Sequence, residues 1–317
     1  MVSFEDIKAA KNRIDPYILH TPLLRVPELD NIIGCKVYLK PENLQITGSF
    51  KLRGATNFLL QLSEEQLIKG VVCASSGNHA KGVSYAAKKL GVEAMIVMPT
   101  NCNPAKLDGV KMLGGNVILE GSLSSHRTAK AKELQAQGYI LVHSHSDPMV
   151  IAGQGTIGIE IIEDLTDVDQ IVVPVGGGGL ISGIAIAVKE NNPNIRIVGV
   201  EPSGAARYCE SRSYNRAVTI TNVNTIADGT RCDKANPANF AIIESLVNDL
   251  VNTDDESIKK AMKLLLSVAK IVAEPSSSLG IAAAITGKLR VLPDDKVCFV
   301  ITGGNNDLTQ LATIIEE

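Results

Sequence analysis

At 317 residues with 45% hydrophobic side chains, the chain can bury a large core, and a typical domain of roughly 150 residues points to two domains. Its 31 basic and 34 acidic side chains leave a net charge of -3, without the basic footprint that DNA, RNA or an anionic membrane surface requires. Tryptophan is absent and aromatic residues make up 3%, which argues against stacking platforms for single-stranded nucleic acid.

No apolar run approaches the roughly 18 residues that span a bilayer, and Met1-Val2-Ser3-Phe4-Glu5-Asp6 lacks a basic region followed by an apolar one. A cytoplasmic protein with no membrane span is expected. The six cysteines (Cys35, Cys73, Cys102, Cys209, Cys232, Cys298) lie far apart with no C-x-x-C pair, so they read as buried thiols.

In chain order, Ser3 caps a helix that runs to about Ile14, and strands follow at Lys36 to Leu39, Val71 to Cys73, Ala94 to Val97 and Val117 to Leu119. Further strands are expected at Ile140 to Val142, Ile171 to Val173, Ile195 to Val200 and Val297 to Ile301. Between them, Asn78 to Leu90 reads as a helix closed by Gly91, and Pro104 sits where a first-turn proline starts another. Near-continuous apolar strands alternating with helices give an α/β fold with mostly parallel sheets covered on both faces. No linker composition marks a boundary, but the stretch from about Gly70 to Val142 is long enough to close as a sub-sheet of its own. The expected division is a small domain at 64–146 and a discontinuous large domain made of 1–63 and 147–317.

Four segments carry chemistry. In Thr47-Gly48-Ser49-Phe50-Lys51-Leu52-Arg53-Gly54, a lone lysine at a helix start is ordinarily an exposed one. Here Gly48 and Gly54 let a planar ring approach the backbone, and partial desolvation beside that ring lowers the lysine pKa into the Schiff-base range. In Ala74-Ser75-Ser76-Gly77-Asn78-His79 a buried strand gives way to a helix start, whose N-H groups and hydroxyls suit a carboxylate; taken singly, Ser76 or Asn78 reads as a helix cap. Gly176-Gly177-Gly178-Gly179 joins a strand to a helix and offers a cradle for one phosphate. Thr302-Gly303-Gly304-Asn305 reads as another switch from strand through glycine to helix, bringing a neutral hydroxyl to the same crevice. A rival remains: Gly177 to Ser182 approximates a dinucleotide fingerprint, with Glu201 placed to meet a ribose, which would make the chain a nicotinamide-dependent oxidoreductase.

Together, Ser49-Phe50-Lys51-Leu52-Arg53-Gly54, the four glycines, His20-Thr21-Pro22-Leu23, Ala152-Gly153-Gln154-Gly155-Thr156 and Thr302-Gly303-Gly304-Asn305 resemble the fold-type II pyridoxal-phosphate enzymes. The likeness is to their threonine/serine dehydratase and serine racemase branch and runs essentially end to end. It implies two open twisted sheets flanked by helices, with pyridoxal 5'-phosphate in the cleft between two domains. It further implies that Lys51 carries the cofactor as a Schiff base and acts as catalytic base, that Phe50 lies against the ring, and that Asn78 bonds the ring 3'-oxygen. Gly176, Gly177, Gly178 and Gly179 would hold the phosphate. Thr302 stands where most of the branch has serine and keeps the hydroxyl that meets the pyridine nitrogen.

The resemblance also implies that Ser75, Ser76, Gly77 and His79 bind the substrate, with Ser76 returning a proton from the face opposite Lys51, as in serine racemases. The implied activity is dehydration of serine and threonine to a 2-oxo acid and ammonia, with serine racemisation. A 3-hydroxyaspartate dehydratase or aspartate racemase of the same family is the alternative, prompted by His143-Ser144-His145-Ser146-Asp147-Pro148 and His126-Arg127. A divalent-cation site of the branch would use Glu201, the Ala205 carbonyl and an aspartate at position 207, where this chain has Arg207, so no metal is expected. A homodimer is expected, as is the absence of the regulatory extension of isoleucine-pathway dehydratases.

Overall fold

The computed structural model describes residues 2–316. Ten strands lie among them: β1 (Leu24–Arg25), β2 (Lys36–Pro41), β3 (Val71–Ala74), β4 (Ala94–Met98), β5 (Asn116–Leu119), β6 (Ile140–Leu141), β7 (Gln170–Pro174), β8 (Arg196–Pro202), β9 (Asp249–Thr253) and β10 (Lys296–Ile301). They form two sheets, one of six strands in the order β1-β2-β10-β7-β8-β9 and one of four in the order β5-β4-β3-β6. Every pairing is parallel except that of β1 with β2. All four strands of the smaller sheet fall within 64–146, and all six of the larger fall outside it.

The eight expected strands are present because each is a short apolar run, buried in the centre of its sheet and half-exposed only at β5 and β6. Val172, Val198, Leu39 and Phe299 pack into one core against the helices Asp255–Ser267 and Leu279–Ile285. On the opposite face Ile171, Val173 and Ile197 pack against the helix Gly179–Asn191. The two unexpected strands lie at the sheet's edges: β1 is two residues long, and β9 reads Asp-Leu-Val-Asn-Thr, half-buried and without an apolar run. Local helix signals also hold. Ser3 and Asp6 form a capping box at Phe4–Ile14, Gly91 ends Asn78–Leu90 with φ +68°, and Pro104 opens Pro104–Met112. The buried-thiol reading is corrected for half of the cysteines: Cys35, Cys73 and Cys298 are buried, whereas Cys102, Cys209 and Cys232 are partly exposed, and all six are unpaired.

Three helices bind the two sheets together by close backbone approach. A Cβ on Gly153 would lie 2.7 Å from the Arg53 carbonyl oxygen, and one on Gly183 would lie 2.5 Å from that of Ile151, so Lys51–Leu59, Pro148–Asp164 and Gly179–Asn191 cross at glycine contacts. Between the first two of these helices and β2 sits a buried charge cluster. Arg53 reaches Glu42 through Nε at 2.8 Å and Glu160 through Nη1 at 2.5 Å. Lys40 meets Glu160 at 2.8 Å and donates to the Thr21 carbonyl at 2.6 Å. Burial alone would raise the Glu160 carboxyl, but Arg53 and Lys40 outweigh it and hold the group below its usual range. Replacing Arg53 with methionine leaves two buried carboxylates short of a partner, so urea denaturation of Arg53→Met should show a loss of about 3–5 kcal/mol.

Candidate active site

Lys51 is the first residue of its helix, and its turn is zipped to the end of β10. The Phe50 N-H donates to the Thr302 carbonyl at 3.1 Å, Ser49 forms a bridge with Gly303, and Gly48 takes φ +73° against the Asn305 side chain. From the other side Gly82 closes on the Lys51 backbone, where a Cβ would stand 3.1 Å away. The Lys51 amine lies 5.0 Å from the centre of the Phe50 ring and donates to the Ser144 carbonyl at 2.6 Å. Burial pulls its pKa down to about 8, so a minor but appreciable fraction of the amine is neutral near physiological pH, far more than for an exposed lysine.

After β3, Ser75-Ser76-Gly77 leads into Asn78–Leu90 with Gly77 at the cap position and no side-chain cap. The alternative reading of Ser76 or Asn78 as a helix cap therefore fails, and the first N-H groups of that helix stay available to a ligand. Ser75 Oγ accepts from the Gly77 N-H at 3.4 Å. His79 is anchored: its Nε2-H donates to the Val142 carbonyl at 3.0 Å, and its buried Nδ1 has no partner among the described residues. Burial first, and the nearby Lys51 second, push His79 down to about 3, so the ring is neutral.

At the third segment, β7 leads through the four glycines into Gly179–Asn191, with Gly178 at φ +88°. A Cβ on Gly177 would lie 2.1 Å from the His145 ring and one on Gly179 would lie 2.4 Å from the His145 carbonyl oxygen, which explains a run of glycine. Among the described residues no hydrogen bond leaves the N-H groups of Gly176, Gly177, Gly178 or Gly179. His145 is itself pushed down to about 3, by burial first, and joins Ser144 Oγ through Nδ1 at 2.8 Å.

The fourth segment differs from its expected form. Gly303 and Gly304 do not open a helix; the next one, Leu308–Glu316, begins further on, because this stretch is tied to residues that sequence reasoning passed over. The Glu274 backbone N-H donates to the Gly303 carbonyl at 3.0 Å, and the Glu274 carboxylate accepts from the Asn305 N-H at 2.7 Å and from the Asn78 amide at 2.9 Å. Asn305 donates in turn to Asn78 Oδ1 at 2.7 Å and accepts from Lys81 at 2.8 Å. Burial raises the Glu274 pKa. Thr302 Oγ1 sits 2.9 Å from Ser277 Oγ, which accepts from the Gly303 N-H at 2.7 Å. The signal that could have found this wall is Glu274-Pro275-Ser276-Ser277-Ser278, a polar run that is buried throughout.

Phe50, Lys51, Ser75, Ser76, Gly77, Asn78, His79, the four glycines and Thr302 all line one cavity of about 270 Å³. Lys81, His145, Glu274 and Asn305 line it too. Of the loop His143 to Pro148, only Ser144 and His145 reach it; Asp147 caps the following helix through the Met149 N-H at 2.8 Å, and His126 packs against Gly121. Arg127 lines the cavity with a buried Nε that has no partner among the described residues. Glu201 is fully buried away from it, accepting from the Tyr208 and Cys209 N-H groups at 3.1 and 2.8 Å. No ribose can meet Glu201 there, which overturns the dinucleotide reading. Arg207 lies with its Nη1 3.7 Å from Glu201 and 3.1 Å from the Ala205 carbonyl.

These groups fit pyridoxal phosphate. The loop offers four unpartnered N-H groups at a helix N-terminus to a phosphate, Lys51 offers an amine of lowered pKa to an aldehyde, and Thr302 offers a hydroxyl to a ring nitrogen. The family model described as pyridoxal-phosphate dependent enzyme matches residues 14–303. The L-threonine ammonia-lyase of Thermotoga maritima is 42% identical over 318 residues, covering 100% of this chain and 79% of that protein. The serine racemase of Arabidopsis thaliana is 42% identical over 310 residues, covering 96% of this chain and 93% of its own. Among solved structures, maize serine racemase superposes with a TM-score of 0.94 at 38% identity, over 99% of this chain and 97% of the other. The chain belongs to the pyridoxal-phosphate dependent enzymes, in the branch that holds the threonine ammonia-lyases and serine racemases.

Proposed function

We propose that this enzyme eliminates water from L-serine and L-threonine, giving a 2-oxo acid and ammonia, and interconverts the enantiomers of serine. The observation that carries this reading is a Lys51 amine of lowered pKa in the same cavity as the Ser76 hydroxyl. Bound pyridoxal phosphate supplies an electron sink for the pair left at the substrate α-carbon when its proton departs. Gly176 to Gly179 would hold its phosphate, Phe50 and Asn78 would hold its ring, and Thr302 would offer the ring nitrogen a hydroxyl, which accepts no full charge. Ser75, Ser76, Gly77 and His79 seat the substrate carboxylate at the uncapped helix start.

In this assignment Lys51 takes the α-proton at Nζ. The β-hydroxyl then leaves as water, its extra proton balanced by the one Lys51 has taken, and hydrolysis of the unsaturated amine that remains gives the 2-oxo acid and ammonia. When the hydroxyl stays, Ser76 Oγ returns a proton to the other face and inverts the centre. Supporting the assignment, the two relatives named above carry the names of these two activities. The division into domains at 64–146 and the remainder, a homodimer, and a cytoplasmic location suited to six unpaired cysteines complete the proposal.

Three measurements test it. Incubation of the purified holoenzyme with L-serine and L-threonine should give pyruvate and 2-oxobutyrate, with L-aspartate and 3-hydroxyaspartate turned over more slowly; a panel in which neither hydroxy amino acid yields an oxo acid overturns the reading. Ser76→Ala should lose D-serine formation from L-serine while keeping pyruvate formation, and parallel loss of both would remove Ser76 from its assigned role. Only a neutral amine is nucleophilic, so acylation of Lys51 in the apoprotein, read by peptide mass, should rise with pH to a midpoint near 8, below the ordinary value of 10.5.

A further inference from the structure

The glycine loop is held from behind. Peptide units are planar and trans, so a carbonyl and the N-H that follows it point in opposite directions. The Gly176 carbonyl accepts from Nη2 of Arg207, and the Gly177 carbonyl accepts from the Tyr208 hydroxyl at 2.9 Å and the Asn239 amide at 2.8 Å. The N-H groups of Gly177 and Gly178 are thereby turned away from these partners, and they find no other partner among the described residues.

Arg207 is the charged member of this back wall and is fully buried. Its guanidinium spreads over three separate pieces of chain: the Gly176 carbonyl, the Ala205 carbonyl at 3.1 Å and the Thr230 carbonyl at 3.4 Å. Gly176 and Thr230 both line the cavity. Glu201 balances the charge from 3.7 Å but spends its own hydrogen bonds on backbone N-H groups. A fully buried cation is costly to fold, and an apolar side chain of equal volume would fill the space without that cost. The planar fork spreads its donors over two nitrogens, Nη1 to Ala205 and Thr230 and Nη2 to Gly176, whereas a lysine would have to gather all three carbonyls around one nitrogen.

We propose that Arg207 is a positioning residue for the cofactor phosphate: it ties back the Gly176 carbonyl, aims the next N-H at the phosphate, and places a fixed positive charge behind the loop. This rests on the reading that the four glycines hold the phosphate, and the test separates the two ideas. Apoprotein of the wild type, Arg207→Ala and Arg207→Lys is titrated with pyridoxal phosphate and, separately, with phosphate-free pyridoxal, with thermal melting as the check on folding. Arg207→Ala should bind pyridoxal phosphate about tenfold to a hundredfold more weakly, while its affinity for pyridoxal changes less than about twofold. Guanidinium ion at a non-denaturing concentration should restore part of the loss in Arg207→Ala and none in the wild type. Where the alanine variant does not fold, Arg207→Lys carries the test, with a loss of about threefold to tenfold confined to the phosphorylated ligand. Equal losses for both ligands, or none for either, overturn the role of Arg207 alone. A wild type that holds pyridoxal phosphate no tighter than pyridoxal overturns the phosphate reading of the loop, and this proposal with it.

Discussion

Arg53 and its two carboxylates are the interaction on which the rest of the molecule depends. The guanidinium stands two residues after Lys51 on the same helix and grips Glu42, just past β2, and Glu160, on Pro148–Asp164. Those partners belong to elements on either side of the small sheet in sequence, so the cluster joins the two pieces of chain that flank it. Buried ion pairs contribute little net stability compared with apolar packing, but they tolerate only one geometry. The start of the Lys51 helix is therefore placed by electrostatics, and Gly153 lets the neighbouring helix come near enough for the bonds to form.

From that anchor the cavity acquires two chemically different ends. At the glycine end, carbonyls are drawn back by Arg207, Tyr208 and Asn239, leaving donors forward. At the Asn78 end, the buried Glu274 gathers amide donors, and the chain of contacts runs through Asn305 to Lys81. Near Lys51 both His79 and His145 are uncharged, and burial outweighs the groups that favour its protonated form, the Ser144 carbonyl, the Phe50 ring and Cys232. The amine opens into the cavity beside these neutral groups, which suits proton transfer at carbon.

Much of this was legible in the sequence because each of three switch segments carries its own local signal. Apolar strands announce parallel sheets, glycines announce backbone approach, and Lys51, Asn78 and the glycine run mark the crevice. What sequence did not reveal depends on distant contacts. Glu274 and Asn305 meet Asn78 across some two hundred positions of chain, and a carboxylate buried by tertiary packing looks like any other glutamate beforehand. Likewise β9 was hidden because Asp249 and Asn252 belong to a half-buried edge, where alternation is weak. The glycine pair after Thr302 misled in the other direction: it serves close approach to Glu274 and Val272 rather than a helix start.

Strand order carries a consequence for how the polypeptide matures. β10 lies in the middle of the large sheet, between β2 and β7, although it comes after the other five strands of that sheet in the chain. Until residue 296 and its successors emerge, β2 and β7 each offer an open hydrogen-bonding edge to other nascent chains. The four strands of the smaller sheet, all complete by Leu141, can pair long before that. Biogenesis is thus staged, with an early module waiting on a late keystone, and the vulnerable interval falls between them.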